Sequence, residues 1–359
     1  MQVTGEKAMS QTKYQYAIEY SKDGERLGSV PVEPDWGPAR ECAQFHAIRK
    51  GIVSPVLRDA PGSIEPVWDP ELGAPVVSAA RVVVAAEAGD QTVCEEVPSA
   101  PYFLQSARAG SAVMVESGLL ERGEVYEYKV CAYPSAPPSA DPRESESNAF
   151  SVEEIFETLP LEEGPIEPFL AAATAWGGDS DASDMRVFIP QHVVDAVVAQ
   201  SGEVGDVETG GVLVGKLRRC ASSPEIFLEV TAQIPATHTD PQAARLTFTA
   251  DSWAAVQAAI DLRNRDELMC GWWHFHPDFC RKCPEQTRRG CVLSRPFFSS
   301  EDIHMHRTIF SMAFHVALLV SDQGRQPFDV SFFGWRHGMV VSRGCDVLGA
   351  AGSAAKAAS

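Results

Sequence analysis

Between residues 133 and 168 the chain reads YPSAPPSADPRESESNAFSVEEIFETLPLEEGPIEP, and apolar periodicity lapses throughout it. Proline removes backbone donors and closely spaced glutamates repel one another, so such a stretch reads as an extended linker or a loosely packed strap. A chain of 359 residues cut in this way is expected to build two cores rather than one. The boundaries expected are 1–140 for a first domain, 141–183 for an acidic linker rich in Pro, Ser and Glu, 184–347 for a second domain, and 348–359 for a tail. That tail, ending GAAGSAAKAAS, has little to pack and is expected to be disordered.

The first domain is expected to be β-rich or α+β. YQYAIEY, RLGSVPV, ARVVVAAE, SAVMVES and EVYEYKVCAY carry β-branched and aromatic residues and read as strands, with Asp23-Gly24 as the turn between the first two. PARECAQFHAIRKG reads as a helix that opens at Pro38 and closes at Gly51. No motif in this half carries chemistry, and its role cannot be read from the residues.

The second domain alternates its elements, which makes the chain α+β overall. MRVFIP reads as a strand and QHVVDAVVAQSG as a helix closing on Gly202. GGVLVGKL, EIFLEVTAQI and LTFTA follow as strands, and Asp251 is the expected N-cap of the helix SWAAVQAAIDLRN. ELMCGWWHFHP is next, a helix is expected from Ser300, and the strands HVALLVS and FDVSFFGW complete the domain.

Charge and composition remove several function classes. A net charge of -19 weighs against grip on a phosphate backbone, which depends on neutralisation by Lys and Arg, and suits a cationic protein partner instead. No run approaches the roughly 20 apolar residues of a membrane span, and the first fifteen residues lack the apolar core of an export signal, so a cytoplasmic protein is expected. In that compartment nine cysteines, an odd number, are expected to be reduced thiols, some of them metal ligands, rather than a disulfide framework.

Three fragments of the second domain carry the chemistry. In GWWHFHP, residues 271 to 277, His274 and His276 stand two apart in a strand, so both imidazoles project from one face while Phe275 turns to the other. FFSSEDIHMH offers Ser299 and Asp302 as S-x-x-D, a spacing that also serves as a helix capping box. ETGGVLVG places Glu208 before Gly210 and Gly211, where missing side chains let backbone approach a neighbour or a ligand. Each fragment alone has a plain structural reading: a surface or hydrogen-bonded histidine pair, a helix cap, and a tight strand start.

Taken in order, E-x-G-G, H-x-H-P at a strand end and S-x-x-D opening a helix resemble the JAMM motif of the JAB/MPN+ family of zinc isopeptidases, to which deubiquitinases and their bacterial relatives belong. The resemblance covers roughly residues 184 to 345 and implies a curved mixed sheet flanked by helices, similar to cytidine deaminases. It implies His274, His276 and Asp302 as zinc ligands, Glu208 as general base and Ser299 as hydrogen-bond donor to the oxyanion, with Ser300 the alternative to Ser299. Such a ligand set suits catalysis, since catalytic zinc keeps three protein ligands and one open position. Many members of the family carry Ser or Thr where this chain has Phe275, a difference expected to affect packing because that side chain points away from the metal. Trp272 and Trp273 are both expected to be buried.

The segment between Pro277 and Ser299 is long for the family and contains Cys280, Cys283 and Cys291. C-x-x-C is a common zinc half-site, so a second, structural zinc is expected, for which His304, His306 and Cys270 compete as fourth ligand. His304 is favoured because some eukaryotic members likewise place a histidine two residues after the ligand aspartate on a second zinc. The function implied is cleavage after the Gly-Gly tail of a ubiquitin-like protein or its conjugates, in a bacterial conjugation system, many of which are antiviral, alongside E1-like and E2-like enzymes. Alternatives are maturation of a sulfur-carrier protein, a metal-free MPN scaffold, and a zinc-ribbon-like RNA binder built on the three cysteines.

Overall fold

The computed structural model describes residues 13–56, 62–86, 92–135, 158–204, 207–236, 248–281, 283–291 and 296–349. The chain divides into two compact units, Met1–Ala47 with Ile52–Thr158 and Ile48–Gly51 with Leu159–Ser359.

The first unit holds β1 (Tyr14–Lys22), β2 (Glu25–Val32), α1 (Gly37–Arg49, whose last two residues fall in the second unit), β3 (Gly62–Trp68), β4 (Val77–Ala85) and β5 (Thr92–Pro98). It continues with α2 (Ser99–Tyr102), α3 (Leu104–Glu116) and β6 (Glu127–Pro134). The strands form two antiparallel sheets, ordered β2-β1-β6 and β3-β4-β5. Asp23 and Gly24 both have positive φ, 52° and 83°, as a tight hairpin turn demands. Alternation along β1 buries Tyr16, Ile18 and Tyr20 against Phe103, Ala107 and Met114. On α1, Ala39, Ala43 and Ala47 recur every fourth residue and form a flat stripe that packs on Ala80, Val82 and Val84 of β4.

SAVMVES, expected as a strand, lies mostly within α3. Its valines stand two apart as in a strand, but Ala107, Gly110 and Met114 recur at helical spacing and form the buried stripe. Strands β3 and β5 escaped the sequence reading. Pro66 sits in β3, which the topology makes an edge strand where a missing N–H does no harm, and β5 alternates Val93, Glu95 and Val97 inward, hiding its period behind an acid.

The second unit is mixed α+β. Its elements are β7 (Leu161–Glu163), α4 (Glu167–Ala172), β8 (Ala173–Gly177), β9 (Val187–Pro190), α5 (Gln191–Val204), β10 (Thr209–Arg219), β11 (Ile226–Pro235), α6 (Ala250–Arg263) and β12 (Leu268–His276). They are followed by α7 (Glu285–Gly290), α8 (Ser300–Ile309), β13 (Val316–Ser321), β14 (Asp329–Arg336), β15 (Met339–Ser342) and β16 (Gly344–Leu348). One open mixed sheet runs β15-β14-β13-β12-β10-β11-β9-β16-β8, with β7 alongside β10. Residues 158 to 183, expected as linker, therefore supply two strands and a helix: β8 pairs with β16 and β7 with β10. The rest of that expected linker up to residue 157, and residues 350–359 of the expected tail, lie outside the described residues.

Two further expectations differ in detail. The N-cap of α6 is Thr249 rather than Asp251: the Thr249 hydroxyl accepts from the Ser252 N–H at 3.2 Å and Asp251 falls in the first turn. Of the expected strand LTFTA only its last three residues are described; Phe248 and Thr249 are not strand and Ala250 opens α6. Strand β12 lies in the middle of the sheet, antiparallel to β10 and parallel to β13. Being covered on both faces, it carries apolar residues almost continuously, and both Trp272 and Trp273 are fully buried.

Candidate metal centre

Alternation along β12 puts Trp272, His274 and His276 on one face and Trp273 and Phe275 on the other. The first face is covered by α8 and by the residues leading into it. Trp272 packs with Phe310 and with Met305, Ile309 and Phe298, and its indole N–H donates to His306 Nδ1 of α8 at 3.0 Å. The opposite face holds Phe275 against Phe328, with ring centroids 5.4 Å apart, and Trp273, whose Nε1–H donates to Gln233 at 3.0 Å. The apolar seam between Trp272 and α8 thus brings the start of that helix over the end of β12.

At that junction three side chains meet. His274 Nε2 and His276 Nε2 are 3.0 Å apart, His274 Nε2 is 3.3 Å from Asp302 Oδ1, and His276 Nε2 is 3.4 Å from Asp302 Oδ2. Among the described residues this is the one group of three or more His, Cys, Asp or Glu whose donor atoms all lie within 4.8 Å of one another. Both imidazoles are buried, and both Nδ1 atoms are buried without a hydrogen-bond partner among the described residues. Burial pushes the His274 pKa down, opposed by the attraction of Asp302. Burial alone would raise the Asp302 pKa, but the two imidazoles overcome it and keep the carboxyl well below the usual carboxylate range.

Asp302 serves a second purpose. The Ser299 N–H donates to Asp302 Oδ2 at 2.7 Å, and the Asp302 N–H donates to Ser299 Oγ at 3.1 Å, a reciprocal capping box that starts α8. Holding the cap leaves Oδ1 directed at His274 and orients the carboxylate before any ligand arrives. The neighbouring Ser300 hydroxyl donates to Glu301 at 3.0 Å. Ser299→Ala is expected to destabilise the second unit by about 1 kcal/mol through loss of the cap, read as a lower urea midpoint, and Ser299→Thr to recover most of it.

Glu208 lies one residue before β10 and is partly buried. Across the ladder Gly210 pairs with His274 and Thr209 with Phe275, so one more step of alternation puts Glu208 on the face of Gly210, His274 and His276. Gly210 presents no side chain between the acid and the imidazoles. Gly211 turns the other way, towards Trp273 and β11: a Cβ there would meet the Ile234 carbonyl and lie 2.6 Å from Trp273 Nε1.

Aromatic rings wall the centre, and the H-x-H pattern does not announce them. Trp272 stacks on His274 at 4.5 Å, and Phe279 and Phe297, from the two ends of the β12–α8 connection, lie 5.4 and 5.0 Å from the His276 ring. The pair FF just before Ser299 is the signal from which Phe297 and Phe298 could have been read.

The expected second ligand set is not drawn together as a set of four. The sulfurs of Cys280, Cys283 and Cys291 do not all lie within 4.8 Å of one another, and His304 is exposed on α8 and joins no such group. The other two candidates are engaged elsewhere: His306 is fully buried beside Trp272, and the Cys270 thiol donates to the Leu213 carbonyl at 3.4 Å. Helical geometry explains His304, which lies two residues on from Asp302 and so turns away from the face that meets β12.

No helix among the described residues is long and apolar enough to cross a membrane. No family model matches the chain, and no curated protein matches it. Among solved structures it is similar to the solution structure of protein DSY2949 from Desulfitobacterium hafniense, at 21% identity, over 44% of this chain and 88% of that one, with a TM-score of 0.29, a likeness too slight to bear on fold or activity.

Proposed function

We propose that the second unit is a zinc-dependent isopeptidase of the JAB/MPN+ type, cleaving after the Gly-Gly tail of a ubiquitin-like protein, in precursors or conjugates. One observation carries the reading. A tetrahedral zinc ion with bonds of about 2.0–2.1 Å to nitrogen and oxygen needs donor-to-donor edges of about 3.3 Å. The three edges between His274, His276 and Asp302 are 3.0, 3.3 and 3.4 Å. Two imidazoles and one carboxylate match the donors of a catalytic site, and three ligands leave a corner for water. A scaffold without metal would have no use for two buried imidazole nitrogens and a carboxylate aimed at one point, which ranks that alternative last.

Zinc held there would supply an electrophile that polarises a carbonyl and acidifies water to near neutral pH. The chain's own residues do the rest. Glu208, on the same face as the imidazoles, accepts the proton of the attacking water and returns it to the leaving amine. Ser299, whose Oγ accepts from the Asp302 N–H, would donate its O–H to the substrate oxyanion, a bond that forms only as charge develops. Phe279 and Phe297 beside His276 and Trp272 beside His274 keep bulk water from the ligands, and the tail of small residues would bind in extended form. A net charge of -19 favours a tail flanked by arginine or lysine.

The test is incubation of the full chain with a panel of ubiquitin-like fusions ending in Gly-Gly. Cleavage after the second glycine is expected, abolished by a zinc chelator and restored by added zinc. Cleavage that persists in chelator, or none with any fusion, overturns the assignment.

A further inference from the structure

Helix α8 meets the face of β12 at two points one turn apart. Asp302 and His306 stand four residues apart and so share one side of the helix. Asp302 faces His274 and His276, and His306 Nδ1 accepts the indole N–H of Trp272 at 3.0 Å. Both partners of that bond are fully buried. Burial first, then the neighbouring His315, push the His306 pKa down to about 3, so Nδ1 keeps the lone pair that accepts the bond. Trp272 lies two residues before His274 on the same face of β12, and the two rings stack with centroids 4.5 Å apart and 14° between their planes. The indole is also nearly parallel to Phe310, at 6.0 Å and 13°.

Given the zinc centre proposed above, we propose that His306 is a positioning residue of that centre: by accepting the indole N–H it sets the plane of Trp272, and Trp272 sets the plane of His274. Aim matters because an imidazole nitrogen offers its lone pair only in the plane of its own ring. In metal sites a hydrogen bond to the outer ring nitrogen usually fixes that plane. His274 Nδ1 is buried without a hydrogen-bond partner among the described residues, so the stack on Trp272 takes over this part. A stack alone leaves the indole free to turn about its own side-chain bonds, and the bond to His306 removes that freedom. Without the acceptor a buried N–H would be left unsatisfied, and the indole would turn to find another partner. His306 and Asp302 belong to one helix, so the element that delivers the carboxylate also orients the imidazole whose Nε2 lies 3.3 Å from it. Packing by itself asks only for a ring at this position, which phenylalanine would supply; what phenylalanine lacks is the acceptor.

The experiment uses the full chain with carbon-13 in its histidine rings, recorded metal-free by NMR and then titrated with zinc against a chromophoric chelator. The His274 ring protons, identified by their loss in His274→Gln, are expected to be held upfield by the stacked indole. His306→Phe should move them downfield and weaken zinc binding by about 10- to 100-fold. His306→Asn, whose Oδ1 stands where Nδ1 stood, should restore most of both. Trp272→Phe removes the donor and should lose zinc affinity to the same degree, and adding His306→Phe to it should cost little more, because donor and acceptor act as one unit. Should His306→Phe fail to fold, the zinc affinity of Trp272→Phe makes the comparison, and a native value there overturns the proposal. Native His274 signals or native zinc affinity in His306→Phe, whatever its melting midpoint, reduce His306 to packing and overturn it as well. A native protein that binds zinc through the two histidines yet cleaves no Gly-Gly fusion overturns the isopeptidase reading alone. If the native protein takes up no zinc, that reading falls too, and the His274 signals still decide what His306 does.

Discussion

Glu208→Gln is expected to lower turnover of a Gly-Gly fusion by about 10²- to 10⁴-fold while zinc content and thermal midpoint stay at their native values. The amide keeps the size and one hydrogen-bonding oxygen of the acid but cannot take a proton. Glu208 is not one of the three donors His274, His276 and Asp302, so the substitution leaves the ligand set intact. The expectation rests on register: Gly210 faces His274 across the β10–β12 ladder, so the residue two before Gly210 falls on the imidazole face. Steady-state rates beside metal content on the same sample make the measurement. A variant that cleaves at the native rate removes Glu208 from the mechanism, and one that loses its zinc makes it a ligand or a structural residue instead.

Gly211→Ala is expected to destabilise the second unit by about 3 kcal/mol, and to cost activity only through unfolding. An added Cβ would run into the Ile234 carbonyl and would stand 2.6 Å from Trp273 Nε1 and 3.0 Å from Pro235 Cα. Two of those atoms belong to backbone fixed by the β10–β11 ladder, in which Gly211 pairs with Pro235, and the third belongs to a buried indole tied to Gln233. None can yield without breaking strand pairing. For a unit of this size that loss corresponds to a fall in Tm of roughly 10 °C, measurable by calorimetry. A native midpoint would mean that the ladder gives way more easily than its register implies. The two variants together divide the E-x-G-G stretch into a chemical half and a packing half, a division the four letters cannot show.

Much of the second unit was legible because its signals are local. The strands around GGVLVGKL, EIFLEVTAQI, HVALLVS and FDVSFFGW, and the helix after MRVFIP, follow from period and from turn residues. Where the reading failed, a non-local term decided. Val113, Met114 and Val115 have strand propensity, yet the stripe of Ala107, Gly110 and Met114 packs against β1 and keeps the segment helical. Residues 161 to 177 look like linker from their glutamates and prolines, yet their backbone finds open sheet positions beside β10 and β16. His304 was attractive on spacing from Asp302, but the same helical rotation that sends it away from β12 leaves it exposed.

From the letters alone came the pairing of His274 with His276 on one face and the capping box that places Asp302 at the mouth of a helix. Both depend only on steric limits within a few residues of backbone. Tertiary structure alone decided that the helix mouth lies over the strand end, because that requires Trp272 to seat α8 through Phe298, Met305 and Ile309. Contacts between residues far apart in the chain are set by how buried surfaces fit, and no period along the sequence encodes that fit.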